Sequence, residues 1–278
     1  MVSLSKNIKI LISDYDGTLA DYNHNISQKN SDAIKKWEDD GRYFTIASGR
    51  MYAMIKEKTE DVDLTSLVIG RGGAEIVDSK NDKVLYEKLI NKKIVHDFLK
   101  AVRENDLEVS IEIENRLYSN FYKAENFSSL KVYPLNEFEL QGIPKMVIFA
   151  VNKDVEKKEE LINNSFKDKF PQLHITQINS RDWKVWDVTS HEATKHLATL
   201  ELLKMLDIKP EEAVAIGDGY NDFSMLSAVG FKVAVDNAVE ELKEIADLII
   251  PNSNNDGVAY LIDKLLAAKG EPRPKGRE

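Results

Sequence analysis

The residues best suited to chemistry in this sequence are two carboxylates near its start. Asp14 and Asp16 follow a short apolar run, and Gly17 comes directly after them. Carboxylates two positions apart on a turn can divide the work of phosphoryl transfer, because one can attack phosphorus while the other donates and later accepts a proton. Gly17 would permit the turn that directs both side chains inward. Taken alone, these residues are also typical of a polar turn.

A second acidic cluster follows another apolar run late in the chain. It contains Asp218 and Asp222, and together with Asp14 it would form an oxygen-rich set suited to Mg²⁺. Three carboxylates brought together repel one another, so such a cluster implies a cation. The simpler alternative for this segment is a solvated turn in which Asn221 caps a helix.

Two further residues have the types that phosphoryl transfer requires. Ser48 lies in a Ser-Gly-Arg sequence after an apolar run, and it offers a hydroxyl and a backbone N–H to a phosphoryl oxygen. Lys195 can neutralise charge on the transferred group. Singly, such residues are more often a turn serine or a solvated lysine. What favours a phosphoryl-transfer site is their order along the chain: an acid pair, a hydroxyl, a lysine and a second acid cluster.

The composition excludes several other classes of protein. The 278 residues carry 38 Lys and Arg against 47 Asp and Glu, a net charge of −9 that does not suit a nucleic-acid coat. The sequence has no cysteine, which rules out disulfides and thiolate chemistry. No apolar run approaches the roughly 18 residues of a membrane helix, and no secretory signal is recognisable. We therefore expect a cytoplasmic protein that binds neither membranes nor nucleic acids.

The elements that must position these residues alternate along the chain. Short apolar runs alternate with segments of helical spacing, which predicts an α/β fold with a parallel sheet. Helices are predicted from a Ser27 N-cap to Gly41, over residues 194–206, and from residue 221. Asp14, Ser48 and Asp218 each follow a predicted strand, where open α/β sheets place their sites. The predicted strands are residues 8–13, 43–47, 67–69, 213–216, 232–235 and 248–250.

The middle of the chain predicts a different architecture. Helices over residues 92–104 and 154–164 are grouped there with several strands, as is typical of an α+β domain. We therefore expect a catalytic core formed by residues 1–82 and 187–278, interrupted by an inserted cap domain of residues 83–186. The predicted strands of this part are residues 107–113, 117–122, 145–151, 174–178 and 183–188.

Taken together, these motifs resemble those of the haloacid dehalogenase superfamily, specifically the Cof-like branch of sugar-phosphate phosphatases. The resemblance covers essentially the whole chain and implies a Rossmann-like core, with helices on both faces and a large cap inserted after the third core strand. The motifs occur in the family's order: Asp14-Tyr15-Asp16-Gly17-Thr18-Leu19, Ser48-Gly49-Arg50, Lys195 and Gly217-Asp218-Gly219-Tyr220-Asn221-Asp222.

The resemblance also implies a role for each matching residue. Asp14 would be the nucleophile and Asp16 the general acid and base. Mg²⁺ would be bound by Asp14, by Asp218 and by the main-chain carbonyl of Asp16, with Asp222 as a ligand or as the partner of a bound water. The residues implied to contact the substrate phosphate are Gly17, Ser48, Gly49, Arg50, Lys195 and Asn221.

The sequence departs from the family pattern at two places. Gly72 stands where relatives usually have an Asn that helps to line the substrate side of the site. Glu192 and His196 flank Lys195 in a stretch where relatives commonly have small residues. The substrate pocket is therefore expected to differ from that of typical relatives.

The resemblance implies a Mg²⁺-dependent phosphatase that hydrolyses a small phosphorylated metabolite through an aspartyl-phosphate, as a monomer or weak homodimer. A response-regulator receiver uses similar residues, but it is a single domain of about 120 residues in which the phosphorylated Asp does not follow the first strand. A non-catalytic phosphometabolite-binding protein would normally have lost Asp14 or Asp16. A phosphomutase shares both residues, so it stays open as an alternative.

Overall fold

The structure is a computed structural model that describes residues 7–21, 23–59, 62, 67–121, 130–151, 154–178 and 184–269. Its strands are β1 (Ile10–Ser13), β2 (Tyr43–Ile46), β3 (Leu67–Gly70), β4 (Glu75–Asp78), β5 (Lys83–Glu87), β6 (Glu108–Ile113), β7 (Arg116–Ser119), β8 (Lys131–Pro134), β9 (Lys145–Ala150), β10 (Leu173–Ile178), β11 (Lys184–Ser190), β12 (Ala213–Gly217), β13 (Phe231–Val235) and β14 (Leu248–Ile250). Its α-helices are α1 (Gln28–Asp39), α2 (Tyr52–Lys58), α3 (Lys92–Glu104), α4 (Val155–Glu160), α5 (Lys167–Lys169), α6 (Lys195–Met205), α7 (Phe223–Leu226), α8 (Glu240–Ile245) and α9 (Gly257–Lys269), with a π-helical segment, Leu161–Phe166, between α4 and α5. No helix within these ranges is long and apolar enough to cross a lipid bilayer.

The chain divides into two compact units. The first comprises Met1–Ala47, Lys58–Leu67 and Thr199–Glu278, and the second comprises Ser48–Glu57 and Val68–Ala198. The boundaries expected for a catalytic core and an inserted cap, near residues 83 and 186, stay a prediction.

The first unit contains the parallel sheet that the sequence predicts. Its five strands lie in the order β14-β13-β12-β1-β2, and every neighbouring pair is parallel. All residues of β1 and β12 are buried, as expected for central strands of a sheet covered on both faces. The Ser27 hydroxyl accepts the backbone N–H of Asn30 at 3.1 Å, which confirms the predicted start of α1.

The third predicted strand pairs differently from the expectation. Strand β3 belongs to a separate three-stranded sheet in the order β3-β4-β5, and the β4–β5 hairpin was not predicted. The β2 strand ends at Ile46, and two residues later the Ser48 N–H donates to the Ile69 carbonyl at 2.9 Å. The Gly72 N–H returns a bond to the Ser48 carbonyl at 2.9 Å. Strand β3 therefore binds the turn at Ser48 rather than extending the parallel ladder.

The second unit is built on a six-stranded sheet in the order β10-β11-β9-β6-β7-β8. All pairs are antiparallel except β7 with β8, and β8 was not predicted. Helix α3 contributes Phe98 to its core, where the ring centroid lies 5.4 Å from that of Phe166 and 5.0 Å from that of Phe170. The α+β character expected for this part of the chain is confirmed, although positions 122 and 183 of the predicted strands lie outside the described residues.

The opposite face of this sheet carries a group of buried charges. Met146 points into the core with α3, so its neighbour Lys145 points to the other face. There the Lys145 Nζ donates to the Gly49 carbonyl at 2.6 Å. The same ammonium lies 2.9 Å from Asp187 Oδ1 and 3.4 Å from Glu112 Oε1. Burial alone would lower the pKa of Lys145, but these two carboxylates raise it above its ordinary value.

Arg71 extends this group of buried charges. Its guanidinium donates to the Glu75 carboxylate and to the Glu114 carbonyl, and its Nε lies 3.5 Å from Glu112 Oε2. Arg71 has φ 51°, a left-handed conformation that costs energy for a residue with a Cβ. Among the described residues, neither Arg71 Nε nor Glu112 Oε2 has a hydrogen bond of good geometry. The group therefore stays partly unsatisfied although it is buried.

We predict that Lys145→Met strongly destabilises the protein. Methionine is similar in size but uncharged, so Asp187 and Glu112 lose the ammonium that they share. Arg71 then remains beside Glu112 alone. Removing one partner from a buried ionic group costs about 3–5 kcal/mol. The free energy of unfolding, measured by urea denaturation, should fall by that amount.

Lys184→Met is the matched control for this experiment. Lys184 starts β11 and pairs with Glu159 at 3.4 Å, but its side chain is half-exposed. An exposed pair contributes only about 0–1 kcal/mol. Equal losses of stability in the two variants would contradict the importance assigned to the buried group.

Candidate active site

The first unit brings the two acidic motifs together through the register of its sheet. Ser13, the last residue of β1, pairs with Ile216 of β12. The Asp14 N–H then donates to the Ile216 carbonyl at 2.8 Å, so Asp14 leaves the sheet beside the end of β12. Asp218 follows that strand directly. Both acids are therefore placed at the carboxyl edge of adjacent parallel strands, as the sequence predicts.

Three carboxylates form a candidate metal centre at this edge. Asp14, Asp218 and Asp222 each offer an oxygen, and these oxygens all lie within 4.8 Å of one another. Asp14 and Asp222 are buried, and Asp218 is partly exposed. Buried carboxylates at this separation repel one another strongly. An all-oxygen donor set of this kind fits a hard divalent cation such as Mg²⁺.

Asp222 organises the loop that carries Asp218. Its Oδ2 accepts the backbone N–H groups of Asp218 and Gly219, both at 3.0 Å. Gly217 makes this approach possible, because a Cβ at that position would lie 2.5 Å from the Cβ of Asp222. Asn221, between these residues, is exposed. The 3₁₀ turn Tyr220–Asp222 thus holds Asp222 against the backbone of its own loop.

The loop after β1 is fitted closely around Asp218. Gly17 has φ 80°, and a Cβ there would lie 2.6 Å from Asp218 Oδ2. The Thr18 hydroxyl donates to Asp218 Oδ1 at 3.1 Å, and the Asn237 amide donates to the Gly17 carbonyl at 3.0 Å. Neither Thr18 nor Asn237 has a role that the sequence predicts, although Thr18 lies in a motif that carries the family resemblance. The tertiary contacts show that Thr18 orients a carboxylate of the candidate metal centre and that Asn237 holds the backbone of the loop beside it.

Asp16 differs from the three clustered acids in its surroundings. Its Oδ1 lies 2.8 Å from Nδ1 of His24, and both side chains are 41% exposed. The sequence does not predict a role for His24, because the residues around a histidine in a polar loop do not indicate which side chain it contacts. Asp16 is thus a partly exposed carboxylate, two residues after Asp14, with a neighbour suited to hydrogen bonding.

Ser48 and Lys195 both belong to the second unit. Ser48 is buried, and its hydroxyl accepts the Arg50 N–H at 3.1 Å, which closes the Ser48-Gly49-Arg50 turn. Lys195 is buried at the start of α6, where the Thr194 hydroxyl accepts the Leu197 N–H at 3.2 Å.

Asp187 belongs to the surroundings of this lysine. Burial raises the pKa of Asp187, and the positive charges of Lys145 and Lys195 oppose that rise. The predicted phosphate-binding lysine is therefore electrostatically coupled to the group of buried charges that holds the Gly49 carbonyl.

The structure shows the surroundings of Gly72 and Glu192, where the sequence departs from the family pattern. Gly72 has φ 68°, and nothing lies within 4 Å of the position where a Cβ would stand. Asparagine tolerates this conformation, so position 72 has room for the Cβ of the side chain that this chain lacks. Glu192 pairs with Lys88 at 2.9 Å on the surface, which lowers the pKa of Glu192 below its ordinary value. Its charge is therefore engaged by a partner other than Lys195.

Comparison with known proteins gives a consistent result. The model of the haloacid dehalogenase-like hydrolase family matches residues 11–262. The chain is 25% identical to the Bacillus subtilis phosphatase YwpJ, covering 93% of this chain and 100% of that protein. It is 29% identical to the 5-amino-6-(5-phospho-D-ribitylamino)uracil phosphatase YcsE of the same organism, covering 92% and 95%. A solved structure described as a subclass IIB sugar phosphatase superposes with a TM-score of 0.76 at 23% identity, covering 94% and 99%.

The family match includes both acidic motifs and all but the ends of the chain. The relatives are matched over almost their whole length, so the likeness concerns the complete architecture rather than one domain. These matches agree with the clustering of Asp14, Asp218 and Asp222 in the structure. The chain belongs to the haloacid dehalogenase-like hydrolase family.

Proposed function

We propose that the protein is a Mg²⁺-dependent phosphatase that hydrolyses a small phosphate monoester, such as a sugar phosphate, through an aspartyl-phosphate intermediate. The observation that carries this proposal is the convergence of Asp14, Asp218 and Asp222, whose oxygens lie within 4.8 Å of one another. A hard-cation site that includes a potential carboxylate nucleophile is suited to phosphoryl transfer. Membership of a hydrolase family supports water as the final acceptor.

The residues proposed to hold Mg²⁺ are those of the acidic cluster. Asp14 and Asp218 would bind it through carboxylate oxygens, and Asp16 through its main-chain carbonyl. Asp222 would bind it directly or through a water, since it already accepts two backbone N–H groups. When bound, the ion offsets charge on the phosphoryl oxygens.

The proposed reaction assigns separate roles to Asp14 and Asp16. The Asp14 carboxylate attacks phosphorus, and the bond from phosphorus to the ester oxygen breaks while Asp16 gives that oxygen a proton. In the second half, a water oxygen bonds to phosphorus as Asp16 takes a proton from the water. The Asp14–phosphorus bond then breaks, which returns Asp14 as a carboxylate and releases phosphate.

The remaining predicted residues are proposed to hold the phosphoryl group. Lys195 would offset its charge, and Ser48 would donate from its hydroxyl and backbone N–H. Burial of both side chains supports these roles, because a donor shielded from water interacts more strongly with an anion. The further contacts proposed are those of Gly17, Gly49, Arg50 and Asn221.

The substrate class is proposed from the relatives. One is named for a phosphorylated ribitylamino compound and a fold neighbour is described as a sugar phosphatase, so we expect an alkyl phosphate ester on a polyol or sugar. The α+β insertion of residues 83–186 is proposed to act as a cap that limits the access of water. A screen of phosphorylated metabolites, with and without Mg²⁺, tests the function by the release of inorganic phosphate. Transfer of phosphate to a sugar instead of water would identify a phosphomutase.

We predict that Asp14→Asn abolishes turnover and leaves the fold intact. The amide cannot attack phosphorus, so kcat toward 4-nitrophenyl phosphate should fall by about 10³-fold or more. Asp32→Asn, which changes an exposed acid of α1, is the matched control and should keep normal activity. Near-normal turnover by Asp14→Asn, with thermal unfolding like that of the wild type, would contradict the assigned nucleophile.

We predict that Mg²⁺ raises the temperature of thermal unfolding and that Asp218→Asn loses most of this increase. An ion that binds only the folded state stabilises it by mass action. In EDTA the order should reverse, with Asp218→Asn unfolding at a higher temperature than the wild type, because one of three repelling charges is gone. Asp263→Asn, an exposed change on α9, should behave like the wild type in both conditions. Equal Mg²⁺ shifts in all three proteins would exclude the acidic cluster as the binding site.

A further inference from the structure

We propose that His24 is a positioning residue for Asp16, an inference that rests on the proposed function. His24 Nδ1 lies 2.8 Å from Asp16 Oδ1, a distance typical of a strong hydrogen bond. In the tautomer that carries its proton on Nδ1, the imidazole donates to the carboxyl group assigned as general acid and base. No motif of the sequence analysis included His24.

The backbone of His24 is fixed by several bonds within the first unit. The hydroxyl of the fully buried Tyr15 donates to the His24 carbonyl at 2.8 Å. The His24 N–H donates to the Asp21 carbonyl at 2.9 Å, and Asp21 Oδ1 accepts the Asn25 N–H at 2.9 Å. His24 has φ 64°, a conformation that few side chains tolerate. The loop thus presents the imidazole to Asp16 from a defined backbone position.

The contact determines which oxygen of Asp16 is suited to carry the proton. Because Oδ1 accepts a hydrogen bond from His24, protonation of the same carboxyl is favoured on Oδ2. The bond also restricts rotation of the side chain, which is otherwise half-exposed. When the ester bond breaks, its electron pair goes to the leaving oxygen, which takes the proton from Oδ2. His24 transfers no proton in this step. It acts on the reaction only by positioning Asp16.

A change in the position of the acid should be visible in the dependence of rate on the leaving group. Phenyl phosphate needs its leaving oxygen protonated, whereas 4-nitrophenyl phosphate releases a stable anion and needs this help much less. The two esters differ by one nitro group, so a general loss of folding or of phosphate binding would affect both alike. The ratio of their kcat/KM values therefore reports on the acid alone.

Two variants distinguish the effect of the imidazole from the effect of the backbone conformation at position 24. His24→Gly removes the donor but tolerates the positive φ. His24→Asn tolerates it as well and places an amide N–H where Nδ1 stood. We expect His24→Gly to lower kcat/KM for phenyl phosphate about 10-fold more than for 4-nitrophenyl phosphate, and His24→Asn to recover most of that difference. Asp16→Asn is the reference and should show the same selective loss to a larger extent.

The outcomes distinguish failure of this inference from failure of the proposed function. If the wild type hydrolyses both esters and Asp16→Asn shows the selective loss, but His24→Gly changes both rates by the same factor or changes neither, the role of His24 is wrong. A selective loss that His24→Asn does not recover would also overturn it, because the hydrogen bond would not be its cause. If the wild type hydrolyses neither ester nor any phosphorylated metabolite in the screen, it is the proposed function that fails.

Discussion

The repulsion among three carboxylates is the constraint that shapes the first unit. Oxygens of Asp14, Asp218 and Asp222 lie within 4.8 Å of one another, which is unfavourable without compensation. Parallel register brings the strand ends together regardless of this cost, since Ser13 pairs with Ile216. Two backbone N–H groups stabilise the charge of Asp222, and the Thr18 hydroxyl and a divalent cation are suited to stabilise the others. The surrounding loops therefore supply the hydrogen-bond donors that these carboxylates require.

The convergence of these acids could be predicted because it depends only on strand order and strand ends. An apolar run followed by Asp14, and another followed by Asp218, fix where each carboxylate leaves the sheet once both strands are parallel and central. The extra strands could not be predicted in the same way. Residues Val84 and Leu85 of β5 are exposed at a sheet edge, so they lack the alternation that marks a half-buried strand.

The residues that orient the candidate site were mostly invisible in the sequence. Asn237 bonds to Gly17 across 220 positions of the chain, and Thr18 bonds to Asp218 across 200. Such pairs depend on the placement of the strands and loops, and the local sequence around either partner does not reveal the other. The nearer pair of His24 with Asp16 was equally hidden, because a polar loop gives no periodicity from which the direction of a side chain follows.

The buried charges of the second unit pose a different question, because an ionic group in a protein interior is an inefficient source of stability. Apolar side chains of similar volume would bury the same surface at less cost. They could not, however, donate to the Gly49 carbonyl, as Lys145 does at 2.6 Å. Gly49 also leaves room for Asp187, because a Cβ at position 49 would lie only 3.1 Å from Asp187 Oδ2. The bond from Lys145 fixes the turn that begins at Ser48, so the placement of this turn, more than stability, explains why these charges lie inside.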